Sequence, residues 1–292
     1  MKNIGEIKHS LNAVKQTRQI TNAMYLLSVS EMKRYMKGVN YIVEYMQRLR
    51  EMKRDLLRLS DATSHPFKTS YSKSGRTAYI VISAEKGMCG SYNTNIAALA
   101  EEKIRSAKDP YVIMKGSYAE TLLAAKGIYA NEKWEYPGNA PSIEYAADMA
   151  SKLMELYLSD DIDEVDIIYT KYISQINQSA RCYKILPLSN DVAEGKPDGK
   201  AISEIEFFPS EDDVFLSLGR HYVTGIIYSA MYQSFVSEHV ARMNAMKTAT
   251  SNADEMIEDL TRKYNSLRQV AITNELTEIT SAAKVAENKD KK

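Results

Sequence analysis

Two glycine-bearing stretches, one cysteine and four histidines are the places where this sequence could do chemistry. Glu85-Lys86-Gly87-Met88-Cys89-Gly90-Ser91 follows an apolar run, where a phosphate-cradling turn would sit. It has two glycines but not the G-x-G-x-x-G spacing, and reads as a tight strand-to-helix turn capped by Ser91 or Asn93. Gly195-Lys196-Pro197-Asp198-Gly199-Lys200-Ala201 is one residue short of the G-x-x-x-x-G-K-[ST] phosphate loop. Ala201 replaces the hydroxyl that would ligate magnesium, and no strand leads into it. Cys89 could be a nucleophile, but no histidine is near it in sequence, so a small buried residue is the better reading. His9, His65, His221 and His239 are dispersed and form no ligand spacing. Asp160-Asp161 and Asp212-Asp213 read as solvated loops. No catalytic residue, metal ligand or cofactor-binding residue is assigned, and the function reads as mechanical or architectural.

The elements around these residues form an α/β pattern. Thr77 to Ser83, Tyr111 to Met114 and Val165 to Tyr169 are β-branched or apolar runs with strand character, and Cys182 to Leu186 reads as an edge strand. Helices are expected over Ser91–Ala107, Ser117–Lys126 and Ile143–Leu158. Strands alternating with helices imply a mainly parallel sheet with helices on its faces. Asn190 to Gly199 reads as a polar loop.

Both ends of the chain differ from this middle. From Ile226 to Lys292 the sequence has neither glycine nor proline, and the first 60 residues have no proline and only Gly5 and Gly38. A helix of about 55 residues would reach on the order of 80 Å, more than one compact domain needs. At the N-terminal end Ile4, Ile7, Leu11 and Val14 are spaced 3, 4, 3 as in a heptad seam. Arg18 interrupts it, Ile20, Met24 and Leu27 resume an apolar face, and Val39, Ile42, Met46 and Leu49 repeat the spacing. Gly38 marks a weak point or bend, and the helix is expected to end near Ser60, ahead of His65-Pro66. At the other end His239, Met243, Met246, Thr250, Ala253, Ile257, Leu260, Tyr264, Leu267 and Ala271 alternate steps of 4 and 3. A strict seven-residue repeat implies a left-handed supercoil. Its small and mixed knobs suit a coiled coil between unlike helices. The two ends are expected to pair antiparallel, dividing the chain into residues 1–60, a central domain over 61–209, and 210–292.

Charge narrows the function classes. Lys and Arg total 38 against 38 Asp and Glu, yet residues 1–60 carry 12 basic and 5 acidic side chains. Basic residues are not interleaved with aromatics as in a single-strand nucleic-acid binder. No apolar run reaches the length of a membrane span. Neither a signal peptide nor a disulfide framework is read from the N-terminus or the two cysteines, which points to the cytoplasm.

Motifs at both ends and in the middle resemble one family. Glu238-His239-Val240-Ala241-Arg242-Met243-Asn244-Ala245-Met246 is followed by Ala249-Thr250-Ser251-Asn252-Ala253, Tyr264-Asn265, Arg268-Gln269 and Ile272-Thr273-Asn274-Glu275-Leu276. With Ile7-Lys8, Val14-Lys15-Gln16-Thr17, Ile20-Thr21-Asn22-Ala23-Met24 and the Ser83–Asn93 segment, the chain resembles the γ subunit of F-type ATP synthase. The resemblance implies a long antiparallel coiled coil with a central Rossmann-like domain. The coiled coil would be a rotor shaft inside the α3β3 hexamer of F1, with the domain seated beside ε on the c-subunit ring of Fo. Rotation driven by H⁺ or Na⁺ would then be coupled to ATP synthesis or hydrolysis on β, with no catalysis, cofactor or nucleotide on this chain. The implied β contacts are Arg268 and Gln269, with Thr273 one turn on, and Met24. Lys33 and Arg34, with Lys37, stand for the family's basic collar, thinned here by Asn22 and Glu31 where the family has lysines. The resemblance implies a peripheral protein on the cytoplasmic face of a bacterial cell membrane, touching it only through the c-ring. Two other readings from the residues are a coiled-coil adaptor with a ligand-binding α/β domain and an enzyme using the Gly87–Ser91 turn.

Overall fold

A computed structural model describes residues 4–59, 75–135, 140–188 and 208–289, with side chains described except at 55–59, 211 and 284–289. His65-Pro66, the Asn190–Gly199 loop and the Gly195–Ala201 stretch lie outside the described residues. The elements in order are α1 (Ile4–Leu59), β1 (Arg76–Ile82), α2 (Tyr92–Ser106), β2 (Asp109–Lys115), α3 (Ser117–Ala124), β3 (Glu132–Lys133), α4 (Ile143–Leu158), β4 (Glu164–Tyr172), β5 (Gln178–Leu186) and α5 (Glu211–Lys289). They divide into two compact units, one of residues 28–242 and one joining 1–27 to 243–292.

The larger unit is built on a sheet of order β3-β2-β1-β4-β5. β1 pairs in parallel with both β2 and β4, and β3 is parallel to β2. β5 is the antiparallel edge, joined to β4 as a hairpin. Successive side chains of a strand point to opposite faces, and β1 obeys this period. Tyr79 and Val81 pack with Ile96, Ala100, Ala119 and Leu123 of α2 and α3. Ala78, Ile80 and Ile82 pack on the other side with Met149 and Leu153 of α4, Val223, Ile227 and Ala230 of α5, and Met46 and Leu49 of α1. Burying each large side chain contributes about 1.5–3 kcal/mol, so the second face ties the terminal helices into the α/β layer.

Two glycines let helices approach closely in this unit. A Cβ on Gly225 would lie 2.3 Å from Leu49 Cδ1, and one on Gly38 would lie 1.9 Å from Tyr232 Oη. Gly38 is therefore a socket. The Tyr232 hydroxyl enters it and donates a 2.8 Å hydrogen bond to the Tyr35 carbonyl, while Tyr35 packs edge-on against Tyr232 and Phe235.

Gly38→Ala poses two effects of opposite sign. Alanine is favoured over glycine in a helix interior by about 1 kcal/mol. A 1.9 Å approach must displace Tyr232 and its hydrogen bond, and overpacking of a filled interior costs about 1–3 kcal/mol. Net destabilisation is expected in urea unfolding. Gly38→Ala with Tyr232→Phe, which removes the clashing oxygen, is expected to be more stable than the sum of the single changes, and strict additivity would contradict the socket.

Candidate functional site

A doubly wound sheet binds ligands at its switch point, outside the carboxyl ends of the strands where the chain reverses direction. Here that point lies between β1, whose crossover leads to β2, and β4. α5 fills it. Ser234 Oγ accepts from the Thr170 amide at 3.1 Å, and the Ser234 carbonyl accepts from the Tyr92 hydroxyl at 3.2 Å. The Ser237 hydroxyl donates to the Thr170 carbonyl at 3.4 Å. Ala241 packs against Ala84, Cys89 and Tyr92.

The turn from β1 to α2 wraps this helix. Met88 and Gly90 both have φ of 60°, the left-handed region, which a methionine adopts only under constraint. Ser91 takes the N-cap position without a side-chain cap bond. Asn93 serves the turn instead, accepting from the Ala84 amide at 3.0 Å and donating to Cys89 Sγ at 3.2 Å. Cys89 is 2% exposed, and burial pushes its thiol pKa up, away from nucleophilic character.

Charge is concentrated at the same place. Arg242 donates to Glu238 at 2.7 Å and to the Lys86 carbonyl at 3.3 Å, with longer approaches of 3.5 Å to the Gly87 carbonyl. Its planar fork suits several acceptors at once. Burial raises the Glu238 pKa, and Arg242 acts against that rise. Burial lowers the Lys115 pKa at the end of β2. His239 packs against Phe235 at 4.5 Å, and burial with the Arg242 charge lowers its pKa to about 4. Its Nδ1 has no hydrogen-bond partner among the described residues.

The smaller unit is a helical pair. Arg18 meets Asp254 at 2.7 Å, and the Thr250 and Thr21 hydroxyls are hydrogen-bonded at 2.9 Å. These contacts set an antiparallel register in which Ile7 lies opposite Tyr264 and Leu11 opposite Leu260. On α5, Met246 and Ala253 are buried, and Met243, Thr250, Ile257, Leu260, Tyr264, Leu267 and Ala271 are half-buried, as the heptad reading expects. On α1 that reading needs correction. Its shielded positions keep stepping by three and four through Val14, Arg18, Thr21 and Tyr25, without interruption. Ile20 and Leu27, expected to resume the apolar face, are 61% and 67% exposed. Arg18 is met by Asp254, and Thr21 by Thr250 and by the Arg18 carbonyl on its own helix, so polar residues can hold seam positions.

The residues expected to contact partners fall in both units. Arg268, Gln269 and Thr273 are exposed on one stretch of α5, and the Thr273 hydroxyl donates to the Gln269 carbonyl at 2.9 Å. Arg268 makes no ion pair among the described residues. Met24 is half-buried. Lys33 and Arg34, in the larger unit, are exposed, and the Arg34 guanidinium lies 5.4 Å from the Tyr35 ring centre. The sequence reading missed the outward stripe of Ile272, Leu276 and Ile279, 47%, 58% and 65% exposed. Its 4, 3 spacing continues the step of the α5 seam on exposed positions, and spacing alone does not separate the two.

A family profile described as ATP synthase matches residues 3–285. The ATP synthase gamma chain of Acetivibrio thermocellus is 34% identical over 295 residues, covering 97% of this chain and 99% of the relative. In the Euglena gracilis mitochondrial ATP synthase, a chain of the OSCP/F1/c-ring structure superposes with a TM-score of 0.68 at 16% identity, covering 99% of this chain and 96% of that one. A chain of the Tetrahymena thermophila mitochondrial ATP synthase central stalk and c-ring gives 0.60 at 19% identity, covering 79% and 99%. These solved structures share the fold. Among the described residues, no helix is long and apolar enough to cross a membrane.

His239 yields a pH prediction. Its folded pKa, about 4, lies below its ordinary value of 6.5. As pH falls below 6.5 the unfolded chain takes up the proton first, so stability present above 6.5 is lost progressively toward pH 4. His239→Gln is expected to flatten the fall in urea midpoint over that interval, and an unchanged slope would exclude His239 as its source.

Proposed function

The chain belongs to the ATP synthase γ-chain family, and from that premise we propose that it works as the central rotor stalk of F1, a non-catalytic subunit whose turning drives the β sites. Residues 1–60 and 210–292 supply the shaft and 61–209 the foot. The α3β3 hexamer surrounds the shaft and the c-ring carries the foot, with ε beside it. The protein is peripheral, on the cytoplasmic face of the cell membrane. H⁺ or Na⁺ flow through the ring turns the foot, and the shaft carries that rotation to the nucleotide sites of β.

One observation carries this reading: the helical pair wears apolar residues on the outside. Ile20, Leu26 and Leu27 of α1 and Ile272, Leu276 and Ile279 of α5 are each between 47% and 67% exposed. Ile272, Leu276 and Ile279 lie beyond Ala271, the last half-buried residue of the α5 seam. An exposed apolar stripe on a long helix marks a surface that another surface covers. A ring of subunits around the shaft is such a surface. Arg268, Gln269 and Thr273 present hydrogen-bonding groups to it. Arg268 can grip a carboxylate with two parallel bonds. Exposed charges of this kind contribute at most about 1 kcal/mol, weak enough to be released at each step. Met24, Lys33 and Arg34 are the other proposed contacts.

The test is Arg268→Ala with Gln269→Ala in the complex reconstituted into vesicles. ATP-driven ion pumping or assembly is expected to weaken several-fold, while nucleotide affinity stays unchanged. A selective loss of nucleotide affinity would contradict the assignment. The rotor reading itself would fail if the chain never associated with a nucleotide-hydrolysing hexamer.

A further inference from the structure

A rotor must not slip at the place where its globular foot grips its shaft. That place is the switch-point crevice, where four features converge within the larger unit. Ser234 and Ser237 bond both backbone groups of Thr170 at the end of β4. Tyr92, at the start of α2, donates to the Ser234 carbonyl. Arg242, 7% exposed, bridges Glu238 on its own helix to the Lys86 and Gly87 carbonyls beyond β1. The turn it holds contains Met88 in a left-handed conformation, which costs about 1–3 kcal/mol and persists only where surroundings fix it. Ser234, Ser237, Glu238, Ala241 and Arg242 step by 3, 1, 3 and 1 along α5, which places them on one face of the helix.

This arrangement exceeds what packing requires. A helix laid across a sheet is held by apolar contacts, as Val223, Ile227 and Ala230 hold the earlier turns of α5. Apolar contacts resist separation but are non-directional, so they resist sliding poorly. Hydrogen bonds to fixed backbone groups are directional, and an ion pair shielded from water is screened much less by salt than an exposed one. The polar face appears on α5 where it crosses the carboxyl ends of β1 and β4.

We propose that Arg242 and Glu238, with Ser234 and Ser237, form the joint through which the α/β domain passes torque into α5. These are positioning residues, acting through the helix they hold. The inference rests on the rotor reading above. It adds that coupling depends on contacts within this chain as well as on those proposed with β and the c-ring.

The test uses Arg242→Gln, Arg242→Lys and Ser234→Ala in the complete complex in sealed vesicles, with ATP hydrolysis and ions pumped per ATP measured together. Arg242→Gln is expected to keep hydrolysis near the wild-type rate while ions pumped per ATP fall about threefold or more. Arg242→Lys retains the charge toward Glu238 but loses the fork, and is expected to fall between. Ser234→Ala is expected to lower the ratio without impairing assembly. A single-molecule measurement supplies a second readout: the angular fluctuation of a probe on the Ile173–Asn177 hairpin tip, with the hexamer fixed, should widen in the same order. Unchanged pumping ratio and fluctuation in Arg242→Gln would overturn the joint. Failure of Arg242→Gln to assemble, with full coupling in the two milder variants, would also overturn it, assigning the cluster to folding. If the wild-type complex hydrolysed ATP without pumping, the rotor reading would fall instead.

Discussion

α5 occupies, with its own backbone, the crevice that a doubly wound sheet offers at its switch point. Much else in the larger unit follows from this. A helix can enter such a crevice only if the facing residues are small, and Ala230, Ser234, Ser237 and Ala241 are. A buried hydroxyl without a partner costs about 1–3 kcal/mol, and Ser234 and Ser237 avoid that cost by bonding the Thr170 backbone. The turn after β1, where a dinucleotide-binding protein would hold phosphate, presents its carbonyls to Arg242. A fold that elsewhere binds small molecules here binds a helix.

The same economy of size governs how the terminal helices meet. In the larger unit Gly38 receives Tyr232, and Gly225 receives Leu49 and Tyr45. In the smaller unit the seam admits threonine, alanine and an arginine, and the polar members find partners across it. Thr250 bonds both Thr21 and the Met246 carbonyl four residues back, so its hydroxyl is satisfied whether or not the pair stays aligned. Arg18 and Asp254 have side chains 43% and 53% exposed, so their pair is worth less than about 1 kcal/mol. Such pairs fix register more than they stabilise, as polar residues in coiled-coil seams do.

The sequence made the elements legible where period and length were strong. α4 runs from Ile143 to Leu158, as the pattern predicts, and β1 shifts by one residue at each end. The α5 seam from Met243 to Ala271 could be read because small or apolar residues mark most of its steps. β3 could not, since two residues carry no period. β4 and β5 extend past their apolar centres because a hairpin is completed by backbone pairing, which polar residues such as Gln178 and Ser179 supply equally well. The middle of α1 was misread for a similar reason. Arg18, Thr21 and Ser28 look like interruptions until their shielding is seen, and the cross-helix partners of Arg18 and Thr21 lie more than two hundred residues away. The filling of the crevice has no local signature at all. Glu238 and Arg242 stand four apart, a spacing shared with many exposed helical pairs, and only tertiary structure distinguishes them by burying both.

Burial separates two kinds of polar contact on one helix, and the separation suits a shaft. The Arg242 and Glu238 side chains are 9% and 18% exposed, and Arg268 lies in the open. Removing one partner of a buried pair costs about 3–5 kcal/mol, because the other charge is left without water or a counter-ion. An exposed ion pair is worth about 0–1 kcal/mol, since water replaces it readily. A contact that must survive every revolution belongs to the first kind. A contact that must form and release with three successive β subunits belongs to the second, because a deep minimum at one angle becomes the barrier to the next. In the roles proposed for them, Arg242 inside and Arg268 outside differ in strength in the sense a rotation requires.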